Sequence, residues 1–451
     1  MKYVRLAALT VILASAPLCP AQQYQIVDLG EISTLFSELW RPLSINDSGQ
    51  IAGCAPLFAG DFSAFVWENY SFNYITNGLG NDWANGVNQN YLVIGAEAPN
   101  GFTLPYAWQN NLKTILPLPS PTILYGGEAL AVNDAGLIVG NVFPRSTPRQ
   151  TTASLWKPGD AAYERIIIEK LKPDDFFNYA ADINDNNVVV GYSGGQNSYS
   201  AFVWQQGQSP VPLPSLPGDY RAVAHAINNL NQVVGFTNGL ADLDQAVLWQ
   251  DNQIIPLGPA GLESWARGIN DNRQIVGTFA ADDGPAACLW QNDQIINLND
   301  QLHNAPGWSL LEAHDINLDG WIVGVGTLAD SAILRGFLLI PMQINFLDAA
   351  IQINPPQINL KSNAKWITCF IQLPEGYNVA DVVVTSLRLA GNIEPVDKYD
   401  IDLTMNLLKV KFPGDAIRHL LSPGAYELTL TGQLVDGTQF QGSDTVTVKG
   451  K

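Results

Sequence analysis

Two aspartates occupy the same place in a recurring sequence frame, and paired carboxyl groups are what glycoside hydrolysis requires. Asp182 stands two positions before Asn184, and Asp315 stands two positions before Asn317. A glycosidase needs one carboxyl group as an acid and a second as a base or nucleophile, on opposite sides of the scissile bond. If the frames surround one axis, Asp182 and Asp315 face each other across it. This pair is the candidate for hydrolase chemistry.

Aromatic, imidazole and guanidinium side chains also precede the asparagines of this frame. Converging around one axis, such residues would form the mixed polar and aromatic funnel that is typical of small-ligand and glycan sites. The alternative interpretation is variable loop filler with partly buried rings. The candidate residues are Trp40, Trp83, Asn85, Tyr179, Asp182, His225, Trp265, Arg267, His314 and Asp315.

Other catalytic and metal-binding signatures are missing from the sequence. It contains no Gly-x-Ser-x-Gly elbow, no His-Glu-x-x-His helix and no phosphate-binding glycine loop. The acidic spacing from Asp315 to Asp319, followed by Gly320, is similar to the start of a calcium loop, but Gly326 stands where the closing acid belongs. We therefore expect a plain hairpin turn there, with no metal and no cofactor.

The frame itself is an Ile or Val, then Asn, then a short polar turn and an apolar run that ends in Gly seven positions after the Asn. Seven copies spaced 42 to 51 residues apart identify a repeat array. The turn residues Asn, Asp and Gly suit a β-hairpin. The pairs are Asn46/Gly53, Asn88/Gly95, Asn133/Gly140, Asn184/Gly191, Asn228/Gly235, Asn270/Gly277 and Asn317/Gly324.

Each copy continues into two more strands, the first of which ends in Trp in copies one to six, as in Ala64–Trp67 and Ala287–Trp290. Four short strands in about 45 residues are the content of one β-propeller blade. The seventh copy lacks a fourth strand, and Tyr24–Gly30 is an isolated strand of that type. We predict a seven-bladed β-propeller closed by the N-terminal strand, with an open array as the alternative. The Trp series is interpreted as packing between blades rather than as a ligand platform.

The domain boundaries follow from where this period starts and stops. Residues 1–21 have the charged start, apolar stretch and small-residue exit of a signal peptide, which predicts secretion. Residues 22–342 form the predicted propeller. Residues 343–451 carry about seven strands with Pro and Gly turns, which favours an immunoglobulin-like β-sandwich. The predicted fold class is therefore all-β.

Charge limits the possible partners. The net charge is −19, with 23 basic and 42 acidic residues, and this argues against nucleic acid or anionic lipid. No later apolar run approaches the roughly 20 residues that span a bilayer. The three cysteines after residue 21 lie in distant segments and support neither a disulfide framework nor a zinc site. We expect a monomer without a transmembrane segment.

The repeat pattern resembles the bacterial extracellular HAF-repeat family. Ile45–Gly53, Ala64–Trp67 and Ile26–Gly30 match its three characteristic pieces, and the resemblance spans residues 24–340. The family's histidine is replaced by Ser63, Ser200 and Gln245. The resemblance implies a secreted β-propeller, usually without a defined activity. The tail from Ile353 looks like the sandwich module often appended to bacterial secreted proteins.

Two functions are compatible with these observations. The first is a secreted binding or scaffold protein whose propeller face binds a glycan, peptide or surface partner, and on this hypothesis the chain is not an enzyme. The alternative is an extracellular polysaccharide hydrolase or lyase that uses the acids of the funnel. Variable residues on a repeat array without a catalytic signature favour the first.

Overall fold

A computed structural model describes residues 22–32, 44–56, 62–75, 81–99, 102–119, 124–147, 150–160, 162–238, 243–292, 294–329, 333–342, 346–391 and 393–450. The chain divides into two compact units, one formed by Gln23–Pro341 and one that contains Met342–Lys451. Strands dominate both units, so the prediction of an all-β fold is confirmed. The predicted signal peptide lies outside the described residues. The boundaries at residues 22, 342 and 343 stay predictions.

The first compact unit opens with β1 (Tyr24–Ile32) and continues with seven repeats of antiparallel strands. Repeat 1 has β2 (Ser44–Ile45), β3 (Ile51–Pro56), β4 (Phe62–Glu68) and β5 (Ser71–Tyr74). Repeat 2 has β6 (Asn81–Val87), β7 (Val93–Ala98), β8 (Leu104–Gln109) and β9 (Leu112–Ile115). Repeat 3 has β10 (Tyr125–Val132), β11 (Ile138–Pro144), β12 (Thr152–Pro158) and β13 (Tyr163–Ile167).

The remaining repeats follow the same order of strands. Repeat 4 has β14 (Phe177–Ile183), β15 (Val189–Gly194), β16 (Tyr199–Trp204) and β17 (Val211–Pro212). Repeat 5 has β18 (Arg221–Ile227), β19 (Val233–Asn238), β20 (Asp244–Gln250) and β21 (Gln253–Pro256). Repeat 6 has β22 (Ser264–Ile269), β23 (Ile275–Ala281), β24 (Gly284–Gln291) and β25 (Gln294–Asn297), then a 3-10 turn, Leu298–Gln301. Repeat 7 has β26 (Trp308–Ile316), β27 (Ile322–Leu328) and β28 (Leu334–Pro341).

The N-terminal strand supplies the fourth strand of repeat 7. β1 pairs antiparallel with β28, with Tyr24 opposite Pro341 and Ile26 opposite Leu339. Arg335 on β28 forms an ion pair of 2.7 Å with Asp28 on β1. The two ends of the repeat array are therefore joined within one sheet.

The repeated asparagine holds its own hairpin and the next repeat together. In all seven copies its Oδ1 accepts the main-chain N–H four residues later, at 2.8 to 3.0 Å. Its Nδ2 donates to the main-chain oxygen of the next asparagine, and Asn317 donates to Asn46 at 3.1 Å. Only an amide side chain of this length supplies both an acceptor and a donor there. We call this cycle of hydrogen bonds the asparagine ring.

The repeated glycine is explained by a close approach between the first two strands of a repeat. A Cβ on Gly324 would collide with the main-chain oxygen of Glu312 and approach the Cα of Ala313. A Cβ on the glycine of each of repeats 2 to 6 would likewise collide with the main-chain oxygen at the equivalent position. Ala313 stands four positions before Asn317, and its Cα lies at this crossing.

The tryptophans of the third strands pack between neighbouring repeats. Trp156 is buried with Leu92, Ile94 and Leu116 of repeat 2, and its Nε1 donates to the main-chain oxygen of Pro117 at 2.8 Å. Trp249 makes the same contact with Pro214 of repeat 4, at 2.7 Å. Large rings at one fixed position fill the space between adjacent sheets. This arrangement favours the packing interpretation of the Trp series.

The second compact unit has one mixed and one antiparallel sheet around one hydrophobic core. The first contains β29 (Leu347–Asp348), β31 (Gln357–Asn359), β33 (Arg388–Leu389), β36 (Gly424–Gln433) and β37 (Gln439–Lys449), of which β29 and β31 pair in parallel with β37. The second contains β30 (Ala350–Asn354), β32 (Trp366–Gln372), β34 (Tyr399–Asp402) and β35 (Leu407–Pro413). One helix, α1 (Gly414–Leu420), and two 3-10 turns, Val379–Asp381 and Val384–Ser386, complete the described part.

Candidate functional site

The inner strands of repeats 2 to 7 each contain a β-bulge just before the asparagine. The bulged residue stands three positions before the Asn, where the sequence has Asn85 and His225. Asn85 is buried, and its Nδ2 donates to the main-chain oxygen of Ala129 in the next repeat at 2.7 Å. Nδ1 of His225 lies 3.1 Å from the oxygen of Ala266. These candidates thus link neighbouring inner strands.

Burial lowers the pKa values of both candidate histidines. Burial lowers the pKa of His225 to about 4, with a contribution from the positive charge of Arg267. Because a carbonyl oxygen can only accept, we assign the proton of His225 to Nδ1. Burial also lowers the pKa of His314.

A charged cluster joins repeats 6 and 7 at the same level. Arg267 Nη2 lies 3.1 Å from Oε2 of Glu312, and His314 Nε2 lies 3.5 Å from the same oxygen. The hydrogen bond from His314, followed by the charge of Arg267, lowers the pKa of Glu312. The structure therefore brings together two predicted residues through a third, Glu312, which sequence reasoning missed. Its signal was available, since Glu312 occupies the aromatic position of the frame, five residues before Asn317.

The two candidate acids are tied to the main chain. Asp182 accepts N–H groups from Ile183 at 2.8 Å and from Ile227 of the next repeat at 2.9 Å. Asp315 does the same with Ile316 at 2.8 Å and with Ile45 of repeat 1 at 3.0 Å. Both carboxylates therefore bridge adjacent repeats, with both oxygens already accepting hydrogen bonds.

The pKa values of both carboxyl groups of this pair are raised, which favours the uncharged, protonated form. Burial raises the pKa of Asp182 to about 7, and the negative charge of Asp315 contributes to the shift. Burial likewise raises the pKa of Asp315 to about 6. Two acids with raised pKa values can exchange protons near neutral pH, which is the property that general acid–base chemistry uses.

The aromatic candidates occupy separate places. Trp83 is buried, and its main-chain oxygen accepts the hydroxyl of Tyr106 at 3.1 Å. Trp265 Nε1 donates to Asp244 at 2.7 Å. Tyr179 belongs to a larger group of rings, described next. Trp40 lies outside the described residues.

Four rings cluster at the start of repeat 4, and we call Phe177, Tyr179, Tyr192 and Tyr199 the aromatic cluster. Tyr179 and Tyr192 stack at 5.0 Å, and the other ring pairs lie 5.4 to 6.1 Å apart. The guanidinium of Arg221 lies over Tyr199 at 5.9 Å and over Tyr220 at 5.0 Å. Tyr220 is 36% exposed, and all four rings of the cluster are half-buried.

Strand direction places the aromatic cluster on the face opposite the asparagine ring. Phe177 and Tyr199 begin their strands, whereas Asn184 follows the end of β14. Tyr192 lies directly opposite Tyr179 in the antiparallel register. Sequence reasoning considered only residues ahead of each Asn, so it found Tyr179 and missed the rings on the neighbouring strands.

The face that carries the asparagine ring has a small acidic cavity. A cavity of about 200 Å³ is surrounded by the seven asparagines and by Asp47, Asp134, Asp185 and Asp271. All four carboxylates accept a main-chain N–H group from a neighbouring repeat, at 2.8 to 2.9 Å, and Asp47 accepts it from Leu318 of repeat 7. Burial raises the pKa of Asp134, and the charges of Asp185 and Asp47 contribute. The polar groups of this cavity are engaged in the repeat contacts.

No described group of three or more His, Cys, Asp or Glu side chains is arranged to hold a metal ion. In the stretch similar to a calcium loop, the side-chain oxygens of Asp315 and Asn317 accept hydrogen bonds from main-chain N–H groups. This stretch forms the hairpin that the sequence favoured. Within the described part of the chain, no helix has the length and apolar character to span a membrane.

A family model described as a protein of unknown function, DUF3466, matches residues 109–333, just under half of the chain. No similar curated protein was found. The HAF-repeat resemblance stays a prediction, because the matching model carries a different description.

Several solved structures are similar in fold. The β-propeller domain of the Trilobed protease from Pyrococcus furiosus is 14% identical, with a TM-score of 0.42, over 57% of this chain and 80% of that one. A puromycin-hydrolyzing peptidase of Mycobacterium tuberculosis is 9% identical, with a TM-score of 0.46, over 78% and 63%. Porphyromonas gingivalis dipeptidyl peptidase 4 is 8% identical, with a TM-score of 0.38, over 73% and 56%. The chain thus spans less than two thirds of both peptidases.

The expectation that the chain is not an enzyme is corrected by these comparisons, since two of the three structures are peptidases. The physical reason is that a propeller scaffold carries no signature of activity, because function resides in sites placed on a fold. The correction withdraws the expectation of no catalysis. It assigns no reaction to this chain, because likeness at this level describes the fold alone.

Proposed function

We propose that the seven repeats are the blades of one closed β-propeller and that the second compact unit is an immunoglobulin-like sandwich. The return of the asparagine ring from Asn317 to Asn46 supports closure, as does the pairing of β1 with β28. Closure removes the exposed sheet edges at which an open array aggregates. A rigid ring of this kind holds residues from separate repeats in fixed positions.

We further propose that the chain is a binding protein and that its ligand site is the face opposite the asparagine ring. The observation that carries this proposal is the aromatic cluster beside Tyr220 and Arg221. Half-buried rings under a guanidinium offer flat apolar surfaces with a polar edge, which suit the C–H faces of a sugar or the side chains of a peptide.

The rings on this face differ in kind from the tryptophans of the third strands. Trp156 and Trp249 are buried and fill space between sheets. Tyr220 and Arg221 instead lie at the start of an inner strand, where the ring of Tyr220 is open to solvent. Rings that are supported from below and open above have little conformational entropy to lose when a ligand binds.

The test is a binding screen of the full chain against a glycan array and a peptide library, followed by titration of the best ligand. Tyr220→Ala should weaken binding about tenfold, the loss expected for one stacking or cation–π contact of about 1.4 kcal/mol. The matched control is Tyr399→Ala, which removes a tyrosine that is 51% exposed in the second compact unit. Equal affinity in Tyr220→Ala and the wild type would contradict the assignment of this face.

A further inference from the structure

A cavity of about 490 Å³ lies between repeat 3 and the segment that leads from it to repeat 4. Tyr125 and Thr152, which line it, begin β10 and β12, so the cavity lies on the same face as the aromatic cluster. Phe176 also lines it and immediately precedes Phe177 of that cluster. The cavity therefore lies on the proposed ligand face and is adjacent in sequence to the aromatic cluster.

Arg165 is a half-buried cation of this cavity. Its Nε donates to the hydroxyl of Ser154 at 3.0 Å. Among the described residues, neither Nη group has a hydrogen-bond partner and no carboxylate forms an ion pair with this guanidinium. Burial lowers the pKa of Arg165. Because the side chain is half-buried, its two Nη groups can donate hydrogen bonds to a ligand anion in the cavity.

Lys170 is the second cation of the same cavity. Its Nζ donates to the main-chain oxygens of Asp175 at 2.7 Å and of Phe176 at 3.4 Å. These two bonds leave one of its three N–H groups for a ligand. In the described part of the chain, Lys170 also has no carboxylate partner. Asp174 and Asp175 also line the cavity, and the carboxylate of Asp175 already accepts hydrogen bonds from Ser193 and from the main chain of Lys172. Among the described residues, neither cation forms an ion pair with these acids, so both remain able to contact a ligand anion.

The rest of the lining accepts and donates hydrogen bonds. The exposed carboxylate of Asp174 can accept hydroxyl groups, whereas Gln150 and Thr152 can both donate and accept. Phe176 and Tyr125 offer ring surfaces beside them. An inorganic anion would use the cations and leave these groups without a role. A peptide carboxyl terminus would bring few hydroxyl donors for Asp174.

We propose that this cavity binds a sugar acid, with the ligand carboxylate on Arg165 and Lys170 and the ligand hydroxyls on Asp174, Gln150 and Thr152. The proposal rests on the proposed binding role of this face and names its ligand class. The planar fork of a guanidinium matches a carboxylate with two parallel hydrogen bonds, which gives Arg165 the larger share of recognition.

The experiment is isothermal titration calorimetry of the full chain with a galacturonic acid trimer and with the neutral galactose trimer of the same linkage. At physiological ionic strength, where long-range repulsion is screened, the acid trimer should bind with a Kd below about 1 mM and the neutral trimer at least tenfold more weakly. Arg165→Gln should weaken acid binding about 10- to 100-fold, the loss typical of hydrogen bonds to a charged group.

Two further variants and one control complete the design. Arg165→Lys should be intermediate, since it keeps the charge and loses the fork. Lys170→Gln provides a second test should Arg165 variants melt at lower temperature than the wild type. Arg418→Gln in the second compact unit changes the net charge equally and should leave binding unchanged.

The outcomes separate this inference from the proposed function. Equal binding of acid and neutral trimers, or acid binding that survives both Arg165→Gln and Lys170→Gln, would overturn the sugar-acid site. If another ligand binds to the wild type and Tyr220→Ala abolishes that binding, the proposed binding role of the face is retained and only the assignment of this cavity is rejected. Displacement of the acid trimer by inorganic phosphate at equal affinity would also overturn it, in favour of a general anion site.

Discussion

Replacing Asn317 with aspartate tests the contact between the last repeat and the first. Oδ1 of Asn317 accepts the N–H of Trp321 at 2.8 Å, and a carboxylate keeps this acceptor. Nδ2 donates to the oxygen of Asn46 at 3.1 Å, and a carboxylate replaces this donor with a charged acceptor. Asn317→Asp therefore removes the contact between repeats 7 and 1 while leaving the hairpin bond in place.

The expected loss follows from the two atoms that come into opposition. The lost hydrogen bond contributes about 1 kcal/mol, and a buried charged oxygen facing a carbonyl oxygen costs a further 2 kcal/mol or more. The unfolding entropy of about 2.1 cal/mol/K per residue, over roughly 320 residues, makes each kcal/mol worth about 1.5 °C in Tm. We expect the Tm at pH 7 to fall by about 5 °C.

The assay is thermal unfolding followed by tryptophan fluorescence, with Asn88→Asp as the matched control. Asn88 makes the same contact with Asn133, at 2.8 Å, between repeats that are consecutive in the chain. Burial beside a carbonyl oxygen should raise the pKa of the introduced carboxyl group in the folded state, so we expect its protonated form, which can donate, to be favoured as the pH falls. The deficit of both variants should therefore shrink between pH 7 and pH 4.

A closed ring predicts equal losses in the two variants. An Asn317→Asp protein that melts with the wild type, beside an Asn88→Asp protein that loses about 5 °C, would show that Asn317 and Asn46 do not meet. The array would then be open.

Three further predictions concern the inner strands and the packing of the repeats. Burial raises the pKa of Asp182 from 3.8 to about 7. The protonated carboxyl group therefore stabilises the fold fully below pH 4, and this contribution is lost as the pH rises through 7. Between pH 4 and pH 8, the Tm of Asp182→Asn should fall less steeply than that of the wild type. Trp156→Phe breaks a buried hydrogen bond and should lower the free energy of unfolding by about 1–2 kcal/mol. Trp290→Phe should lower it less, because Nε1 of Trp290 has no partner among the described residues. Equal losses in denaturant titrations would contradict this. Gly324→Ala forces a Cβ against a main-chain oxygen and should abolish soluble expression or lower Tm by several degrees, while Gly195→Ala, which meets open space, should not.

The strands and hairpins were predictable because their causes are local. A turn of Asn, Asp and Gly between two apolar runs specifies a hairpin wherever it occurs. Seven copies of one frame repeat that information, and the isolated strand at Tyr24 indicated what completes repeat 7. The Trp at a fixed place in the third strand likewise predicted packing between sheets.

The candidate site was less predictable, because contacts between repeats have no sequence period. The sequence offers Asp182 and Asp315 as a pair of catalytic acids, yet each accepts an N–H from the following repeat. Glu312 joins Arg267 to His314 only through the bulge of a neighbouring strand. A single sequence shows which residue types precede each Asn but not which of their atoms are already engaged.

The sequence by itself determined the repeat, the β class and the hairpin at each asparagine, since hydrophobic period and turn chemistry act over a few residues. Only the tertiary structure decided which side chains share a place. Stacking Tyr192 on Tyr179 needed the register of β14 and β15. Placing Arg165 and Lys170 in one cavity with Tyr125 and Gln150 needed the segment after β13 to lie beside the other strands of repeat 3. These contacts depend on cross-strand register and on the path of a connection, and neither leaves a periodic signal in the sequence.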